Sequence, residues 1–306
     1  MFSLFDLHCD MPTESYVRSL SITDGALMAS AKKASAFDRY VQVAAIWSDC
    51  RLNDEDAYIR YLAVRDHFAS QVRENGFSAV THAEQIWDGV PNYILAVEDA
   101  RILAGDLTRL KGLYEDGVRF LTLTWAGTSV IGGAFDTDEP LTDFGRQVVE
   151  ECFRLGIIPD LSHASTAVIE EVLAMAEERS LPVIATHSNA YSVHPHKRNL
   201  RDEHFRRIAA LGGIVGISFC PPHLTDGTCT VNDVAKHILH DLSLGGQHCL
   251  AFGADLDGIE STPDGLSDLS YMPSLYDALK NEGIGEDVLN RLFYHNAHEF
   301  FTRAVR

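Results

Sequence analysis

Residues 141–187 read LTDFGRQVVEECFRLGIIPDLSHASTAVIEEVLAMAEERSLPVIATH, and this stretch is the best guide to the fold. It contains two amphipathic helical patterns, each followed by a short apolar run, at residues 157–162 and 183–187. Short apolar runs without polar alternation are typical of parallel strands buried on both faces. His163 follows the first run and His187 ends the second. The stretch therefore predicts two successive helix–strand units, each with a histidine where its strand ends.

The same alternation of strand and helix extends in both directions along the chain. Apolar runs predict eight strands, at residues 4–9, 41–47, 93–98, 119–124, 157–162, 183–187, 214–219 and 250–255. Amphipathic runs predict helices at residues 56–73, 101–115, 143–155, 166–178, 202–211 and 231–242. Gly117, Gly156 and Gly212 follow such runs, where a left-handed residue commonly ends a helix.

Eight strands separated by helices indicate an α/β fold, a (β/α)8 TIM-type barrel made by a single catalytic domain over residues 1–306. The alternative is a doubly wound open sheet. The first strand is not followed by a G-x-G-x-x-G turn, and the chain has no P-loop motif. The nucleotide-binding versions of the open sheet therefore lack their usual signals.

Side chains suited to metal binding or acid–base chemistry recur at the ends of the predicted strands. They are His8, Asp10, Glu98, His163, His187 and Asp255. The carboxyl ends of barrel strands meet at one mouth, where barrel enzymes hold their catalytic groups. Imidazoles and carboxylates are ligands of zinc and related cations. The series predicts a metal site at this mouth.

Several of these residues have a simpler interpretation when they are taken alone. A His-x-Asp triplet such as His8 to Asp10 is common by chance, although a strand would place both side chains on one face. Glu98 could cap the helix that follows, and so could Asp99 beside it. An isolated histidine at a strand end is more often structural than a ligand. Recurrence on successive strands is what favours the metal site.

Asp255 closes the eighth predicted strand, the customary place for a general base beside a metal-bound water. Asp257, two residues further on, would face the same side if the strand continued. Cys9 lies between two candidate ligands but points to the opposite face of its strand, so we expect it to pack in the core. The six cysteines form no C-x-x-C pair, which predicts reduced thiols.

Charge and hydropathy limit the possible partners. The chain has 25 Lys and Arg against 44 Asp and Glu, a formal net charge of −19. Nucleic acid and anionic membranes need a basic surface, so neither is expected. No stretch reaches the roughly 20 apolar residues of a membrane span, and the N-terminal MFSLFDLHCD lacks the regions of a signal peptide. A small-molecule substrate and a cytoplasmic location are the expectation.

Longer segments resemble the membrane (renal) dipeptidase family of binuclear zinc peptidases, which are amidohydrolase-type barrels. They extend over nearly the whole chain and read FDLHCDMP, AVEDA, GVRFLTLT, LTDFGRQVVEECFRLGIIPDLSHAS, PVIATHSNAYSVHPHKRNLRDEHFRRIAALGGIVGISF and FGADLDG. The long middle segments are too specific for chance similarity. The resemblance implies that His8 and Asp10 bind one Zn²⁺, that Glu98 bridges two Zn²⁺ ions, and that His163 and His187 bind the second.

The resemblance also implies two roles outside the ligand set. Asp255 would shuttle a proton between water and the leaving amine. Arg198 would hold the carboxylate of the substrate, and a guanidinium suits this task because it is always charged and binds a carboxylate through two hydrogen bonds.

One substitution departs from the family pattern on the substrate side. Family members have a histidine directly after LTLT, which is thought to hold the substrate carbonyl and its developing oxyanion. Here the residue is Trp125, whose indole has one N–H donor and no titratable group. Loss of an oxyanion donor costs roughly 10²–10³ in rate unless another donor replaces it. Trp125 is therefore expected to line the substrate pocket and to alter its preference.

The resemblance implies a metal-dependent dipeptidase that uses a hydroxide bridging two zinc ions, with dipeptides carrying a C-terminal D-residue among its substrates. Two alternatives stay open. The pocket could serve another amide, an N-acyl amino acid or a lactone, or the barrel could bind metal without catalysis. The ligand set would also accept Mn²⁺, Co²⁺ or Fe²⁺. Dimers are common in the family, but the sequence does not decide between a monomer and a homodimer.

Overall fold

The computed structural model describes residues 2–305 and contains a closed barrel of eight parallel strands. The barrel strands are β1 (Ser3–Cys9), β2 (Arg39–Trp47), β4 (Pro91–Glu98), β5 (Val118–Thr122), β6 (Ile158–Asp160), β7 (Ile184–Ala185), β8 (Ile214–Ile217) and β9 (Leu250–Phe252), with the two-residue strand β3 (Ser78–Ala79) beside β4. The ring closes because β2 pairs with β4 and β9 pairs with β1. The predicted (β/α)8 barrel is confirmed.

Helices alternate with the strands around the barrel. In the described residues they are α1 (Met11–Arg18), α2 (Ala31–Ala34), α3 (Asp54–Glu74), α4 (Arg109–Glu115), α5 (Asp143–Leu155), α6 (Thr166–Arg179), α7 (Asp202–Ala210), α8 (Pro221–Leu224), α9 (Val231–Ser243), α10 (Met272–Asn281), α11 (Glu286–Asn290) and α12 (Asn296–Ala304). Across residues 2–305, no helix combines the length and the apolar character needed to cross a bilayer.

Most predicted helices match these elements within one or two residues, but the single helix predicted at residues 101–115 is wrong. A short 3₁₀ turn occupies Ala100–Leu103, and α4 begins only at Arg109. Between them, Ala104 and Gly105 have φ angles of 49° and 76°. Left-handed backbone cannot continue a right-handed helix, so the amphipathic pattern is divided at this point.

The barrel interior is apolar at the amino end of the strands and is closed there by the C-terminal helix. Phe5 and Ile94 point inward from β1 and β4 and belong to one buried cluster with Phe300 and Phe301 of α12. The ring of Phe120 stacks on Phe300 at a centroid distance of 6.4 Å. This packing leaves the carboxyl end of the barrel as the mouth at which polar side chains converge.

Two glycines allow the ends of three neighbouring strands to approach closely. Gly216 lies in β8 and Gly253 follows β9, and a Cβ added to either would overlap the carbonyl oxygen of Thr186, just after β7. Neither glycine has a positive φ. Their requirement is therefore space and not backbone conformation.

Gly253→Ala is expected to lower the free energy of unfolding by about 1–3 kcal/mol, because the added methyl group must displace the strand end that carries Thr186. The matched control is Gly112→Ala within α4, where an added Cβ has no neighbour within 4 Å. It is expected to stabilise the chain by about 0.5–1 kcal/mol through lower backbone entropy of the unfolded state. Thermal unfolding measures both shifts, and equal midpoints for the two variants would contradict this account.

Candidate metal centre

The candidate ligands all lie at the carboxyl mouth of the barrel. His8 is within β1, Asp10 follows it directly, and Glu98 is the last residue of β4. His163 and His187 follow β6 and β7. The side chains of all five are buried or nearly so. The structure thus brings together the residues that the sequence predicts as ligands.

Three of the strands that lead to candidate site residues end before the sequence predicts, as β5 and β8 also do. The sequence extends them to residues 162, 187 and 255, but β6, β7 and β9 end at Asp160, Ala185 and Phe252. His163 and Asp255 have φ angles of 67° and 63°, which lie outside the range of a strand. The left-handed turn lets each side chain leave the strand direction and enter the mouth.

Glu98 lies at the centre of the cluster and contacts histidines with both carboxylate oxygens. Its Oε1 atom is 2.8 Å from His163 Nε2 and 3.5 Å from His187 Nε2. Its Oε2 atom is 3.5 Å from His8 Nε2. Asp99, and not Glu98, caps the 3₁₀ turn that follows, because its side chain accepts a hydrogen bond from the Arg101 backbone N–H. Glu98 is therefore placed between two histidine groups.

A second group of carboxylates surrounds His8. Its Nε2 atom is 3.7 Å from Asp10 Oδ2 and 3.9 Å from Asp255 Oδ1. Gly258 packs against both acids, and a Cβ at this position would overlap both oxygens. The last strand does not continue to Asp257, and the side chain of this residue accepts from the backbone N–H groups of the 28–29 segment instead of joining Asp10 and Asp255.

The hydrogen bonds of the imidazoles define which ring nitrogen carries the proton. His163 Nδ1 lies 3.1 Å from the Trp125 carbonyl oxygen, which can only accept, so Nδ1 donates. The hydroxyl of Thr186 donates to Asp160 Oδ2 at 2.6 Å and therefore accepts from His187 Nδ1 at 2.8 Å. In the neutral rings the lone pair is then on Nε2, facing the cluster.

Asp160 and Thr186 are the residues that sequence reasoning missed. Asp160 is fully buried, and its Oδ1 accepts from the N–H groups of Ser162 and Thr186. Its Oδ2 accepts from the hydroxyls of Thr122 and Thr186. Thr186 Oγ1 also lies 3.4 Å from His8 Nδ1. A buried aspartate within an apolar strand, as in IIPDLSH, was the signal available in the sequence.

Burial and neighbouring charges change the acidity of the carboxylates. Burial raises the pKa of Glu98 to about 7, and the charge of Asp10 adds to this increase. Burial also raises the pKa of Asp255 well above the usual carboxyl value. Burial lowers the pKa of His8, but Glu98 and then Asp10 outweigh it and raise this pKa well above the ordinary value. The cluster therefore favours positive charge near His8 Nε2.

The other two histidines are held neutral. Burial lowers the pKa of His163 and His187 well below the usual imidazole value, and the positive charge of Arg198 contributes in both cases. Their Nε2 atoms are 2.8 Å apart. Neutral imidazole is the form that binds a metal ion.

The donor set fits divalent cations. Within the described residues, His8 Nε2 and Asp10 Oδ1 are buried without a hydrogen-bond partner. The Nε2 atoms of His163 and His187 converge on Glu98 Oε1. All three atoms are hydrogen-bond acceptors when the imidazoles are neutral and the carboxylate is ionised. Buried acceptors that face one another need a shared cation or proton. Histidine and carboxylate ligands in this number suit zinc and its first-row neighbours.

A cavity of about 690 Å³ opens above the cluster. Arg198 and Trp125, the predicted substrate-binding residues, both line it, as does Asp255. Arg198 is buried, lies 5.9 Å from the ring centroid of Phe135, and has an Nε atom without a partner in the described chain. The indole of Trp125 packs edge-on against Trp47 at 5.1 Å. The cavity therefore has a cationic wall and an aromatic wall.

A closed barrel with histidine and carboxylate donors converging at its carboxyl mouth, below a cavity of substrate size, is the arrangement of metal-dependent barrel hydrolases. The chain belongs to the membrane dipeptidase family (Peptidase family M19), whose family model matches residues 1–304. The family expected from the sequence motifs is confirmed.

Individual relatives agree with this membership. An uncharacterized dipeptidase of Schizosaccharomyces pombe is 31% identical over 237 residues, which are 74% of this chain and 52% of that protein, so the match spans about half of the relative's length. A solved metallopeptidase of family M19, a dipeptidase, is 26% identical with a TM-score of 0.92, and 99% of each chain is covered. A Rhodobacter sphaeroides metallopeptidase, bound to a phosphinate mimic of L-Ala-D-Ala, is 25% identical with a TM-score of 0.91 over 99% of both chains.

Thr186→Val is expected to weaken zinc binding by roughly 10–100-fold, because the hydroxyl that orients His187, and more distantly His8, is lost. Thr122→Val is the matched control, since it removes a hydrogen bond of the same length to the same Asp160 oxygen but contacts no histidine. Competition with a chelator measures the zinc affinity of both variants. Equal weakening in the two variants would show that the support of Asp160, and not imidazole orientation, is responsible.

Proposed function

We propose that the chain is a dipeptidase that uses two zinc ions. The observation that carries this proposal is the position of Glu98, whose two oxygens face different histidines in the same cavity as the guanidinium of Arg198, which forms no ion pair in the described residues. His8, Asp10 and Glu98 would hold one ion, and Glu98, His163 and His187 would hold the other. Two zinc ions there would supply Lewis acidity and make a bridging hydroxide available near neutral pH.

Asp255 is the candidate for proton transfer. It is buried, lines the cavity, and lies 3.9 Å from His8 Nε2. A carboxyl group whose pKa is raised by burial can both accept a proton from water and return it to the amine that leaves. In this proposal the proton moves from water to an Asp255 oxygen and then to the nitrogen of the broken peptide bond.

Arg198 would bind the free carboxylate of the substrate. Burial without an acidic partner favours capture of an anion, because an unpaired buried charge is costly. A carboxylate held there fixes the C-terminal residue of the substrate, so only short peptides can place a peptide bond over the metal centre. Acceptance of a D-residue at this position is part of the proposal, supported by the L-Ala-D-Ala mimic bound to the Rhodobacter sphaeroides relative.

Asp255→Asn is expected to lower kcat by roughly 10²–10⁴-fold on a panel of L,L and L,D dipeptides, because the amide cannot take up the proton. Two metal ions per chain should remain bound in this variant. Asp257→Asn is the control: its carboxylate accepts from Met28 N and Ala29 N, so turnover should persist. Steady-state kinetics and metal analysis on the zinc-loaded proteins are the measurements.

Three results would contradict parts of this proposal. Loss of metal from the Asp255→Asn variant would make Asp255 a ligand instead of a proton carrier. Turnover of L,L but not L,D dipeptides would remove the stereochemical part. Full metal occupancy without turnover of any dipeptide would favour another substrate or a barrel that only binds metal.

A second candidate function keeps the metal chemistry and changes the substrate. The wall formed by Trp125 and Trp47 is flat and aromatic, and Trp125 lies 6.0 Å from the ring of His163. Such a wall favours a bulky or aromatic group near the reacting carbonyl. An N-acyl amino acid, another amide or a lactone would meet this description.

Trp125→His distinguishes the two candidates. If Trp125 has changed the preference of the pocket, the variant should gain roughly 10–100-fold in kcat/KM on ordinary dipeptides, because an imidazole donor can stabilise the oxyanion. Trp47→His is the control, since it changes the same aromatic wall further from His163. No gain with Trp125→His would count against a re-tooled pocket.

A further inference from the structure

Three arginines line the cavity above the metal centre, and their partners differ. Arg51 forms an ion pair with Asp49 at the exposed rim. Arg198 lies at the buried end and has no acidic partner in residues 2–305. The third is Arg60, which projects from the second turn of α3. Of these three arginines, only the one at the rim has an acid within ion-pair distance in the described residues.

Arg60 is partly buried and lacks a partner. Its Nε atom is shielded from solvent without a hydrogen bond, and it takes part in no ion pair with the described chain. A partly desolvated guanidinium that binds nothing loses hydration without compensation. Such a group favours an anionic ligand, and its planar array of donors matches a carboxylate.

The carboxylates around the cavity are engaged elsewhere. Asp49 pairs with Arg51, and Glu14 pairs with Arg18 at 3.1 Å. The side chain of Asp257 is taken by two backbone N–H groups. Asp10, Glu98 and Asp255 belong to the metal centre. None of these acids is in ion-pair contact with Arg60, so its charge remains available to a ligand.

The two unpaired arginines face the cavity from opposite sides of the barrel. Arg60 follows β2, and Arg198 lies in the segment after β7. In the ring order β1, β2, β4, β5, β6, β7, β8, β9, the strands β2 and β7 are four positions apart in a barrel of eight. The candidate metal ligands lie in or directly after β1, β4, β6 and β7 of the same ring. A ligand that satisfies both arginines must therefore carry anions at its two ends.

We propose that Arg60 recognises an acidic side chain on the first residue of a dipeptide substrate. The inference rests on the proposed dipeptidase function, in which Arg198 binds the C-terminal carboxylate and the peptide bond lies over the metal centre. The opposite end of such a substrate is its first residue. The preferred substrates are thus dipeptides that begin with glutamate or aspartate.

The test compares kcat/KM for L-Glu-L-Ala, L-Ala-L-Glu and L-Ala-L-Ala on the zinc-loaded protein. The wild-type chain should prefer L-Glu-L-Ala over the other two. Arg60→Gln should lower the ratio of L-Glu-L-Ala to L-Ala-L-Ala by roughly 10–100-fold, the size of a lost charged hydrogen-bond pair. Arg73→Gln is the matched control, because it removes the same charge from an exposed position of α3 about 20 Å further along the helix.

Binding provides a second readout that does not depend on turnover. L-Glu-L-Ala and L-Ala-L-Ala are titrated calorimetrically into the Asp255→Asn variant, with and without Arg60→Gln. The ratio of the two binding affinities should change by the same factor as the ratio of the kcat/KM values. An equal ratio in the Arg60→Gln and Arg73→Gln variants, or a preference for L-Ala-L-Glu, would overturn the assignment. If no dipeptide is cleaved, the proposed function fails, and the binding ratio alone then decides the role of Arg60.

Discussion

The mouth of this barrel is organised around buried hydrogen-bond acceptors that face one another. The Nε2 atoms of His163 and His187 lie 2.8 Å apart, and both are within 3.5 Å of one oxygen of Glu98. Outward-facing hydrogen bonds fix the protons of both rings on Nδ1. In a medium of low polarity such an arrangement is unfavourable without a positive charge at its centre. The geometry therefore requires a shared proton or a bound cation at this position.

The ring of strands is what makes this arrangement possible. Gly216 and Gly253 bring two strand ends against the Thr186 carbonyl, and the Thr186 hydroxyl connects the buried Asp160 carboxylate to the histidines. Each glycine and each hydrogen bond limits where His187 can lie. Precise placement of ligands by packed backbone and by a second layer of hydrogen bonds is how proteins tune metal affinity. Fold stability and metal binding are thus coupled through the same few atoms.

The substrate side of the cavity differs from the metal side in the charge of the side chains that line it. There the decisive feature is charge without an ion pair: among the described residues, neither Arg198 nor Arg60 has an acid within ion-pair distance, whereas Arg51 pairs with Asp49. Trp125 adds apolar surface where the family pattern has a histidine. Recognition of a ligand would then combine two anion sites with an aromatic wall, and the reacting bond would lie between them over the metal centre.

The sequence by itself determined the barrel and its family and predicted the candidate ligands, because apolar strands and helices alternate regularly and parallel strands bring their ends to one mouth. It also placed Glu98 and Asp255 at that mouth. It did not reveal the left-handed turns that end the strands early at His163 and Asp255, nor the hydrogen bond between Asp160 and Thr186, nor the unpaired state of Arg60. These features depend on which residues, distant in sequence, the closed barrel brings into contact. A hydrogen bond forms only when both partners are placed correctly, so neither residue alone predicts it.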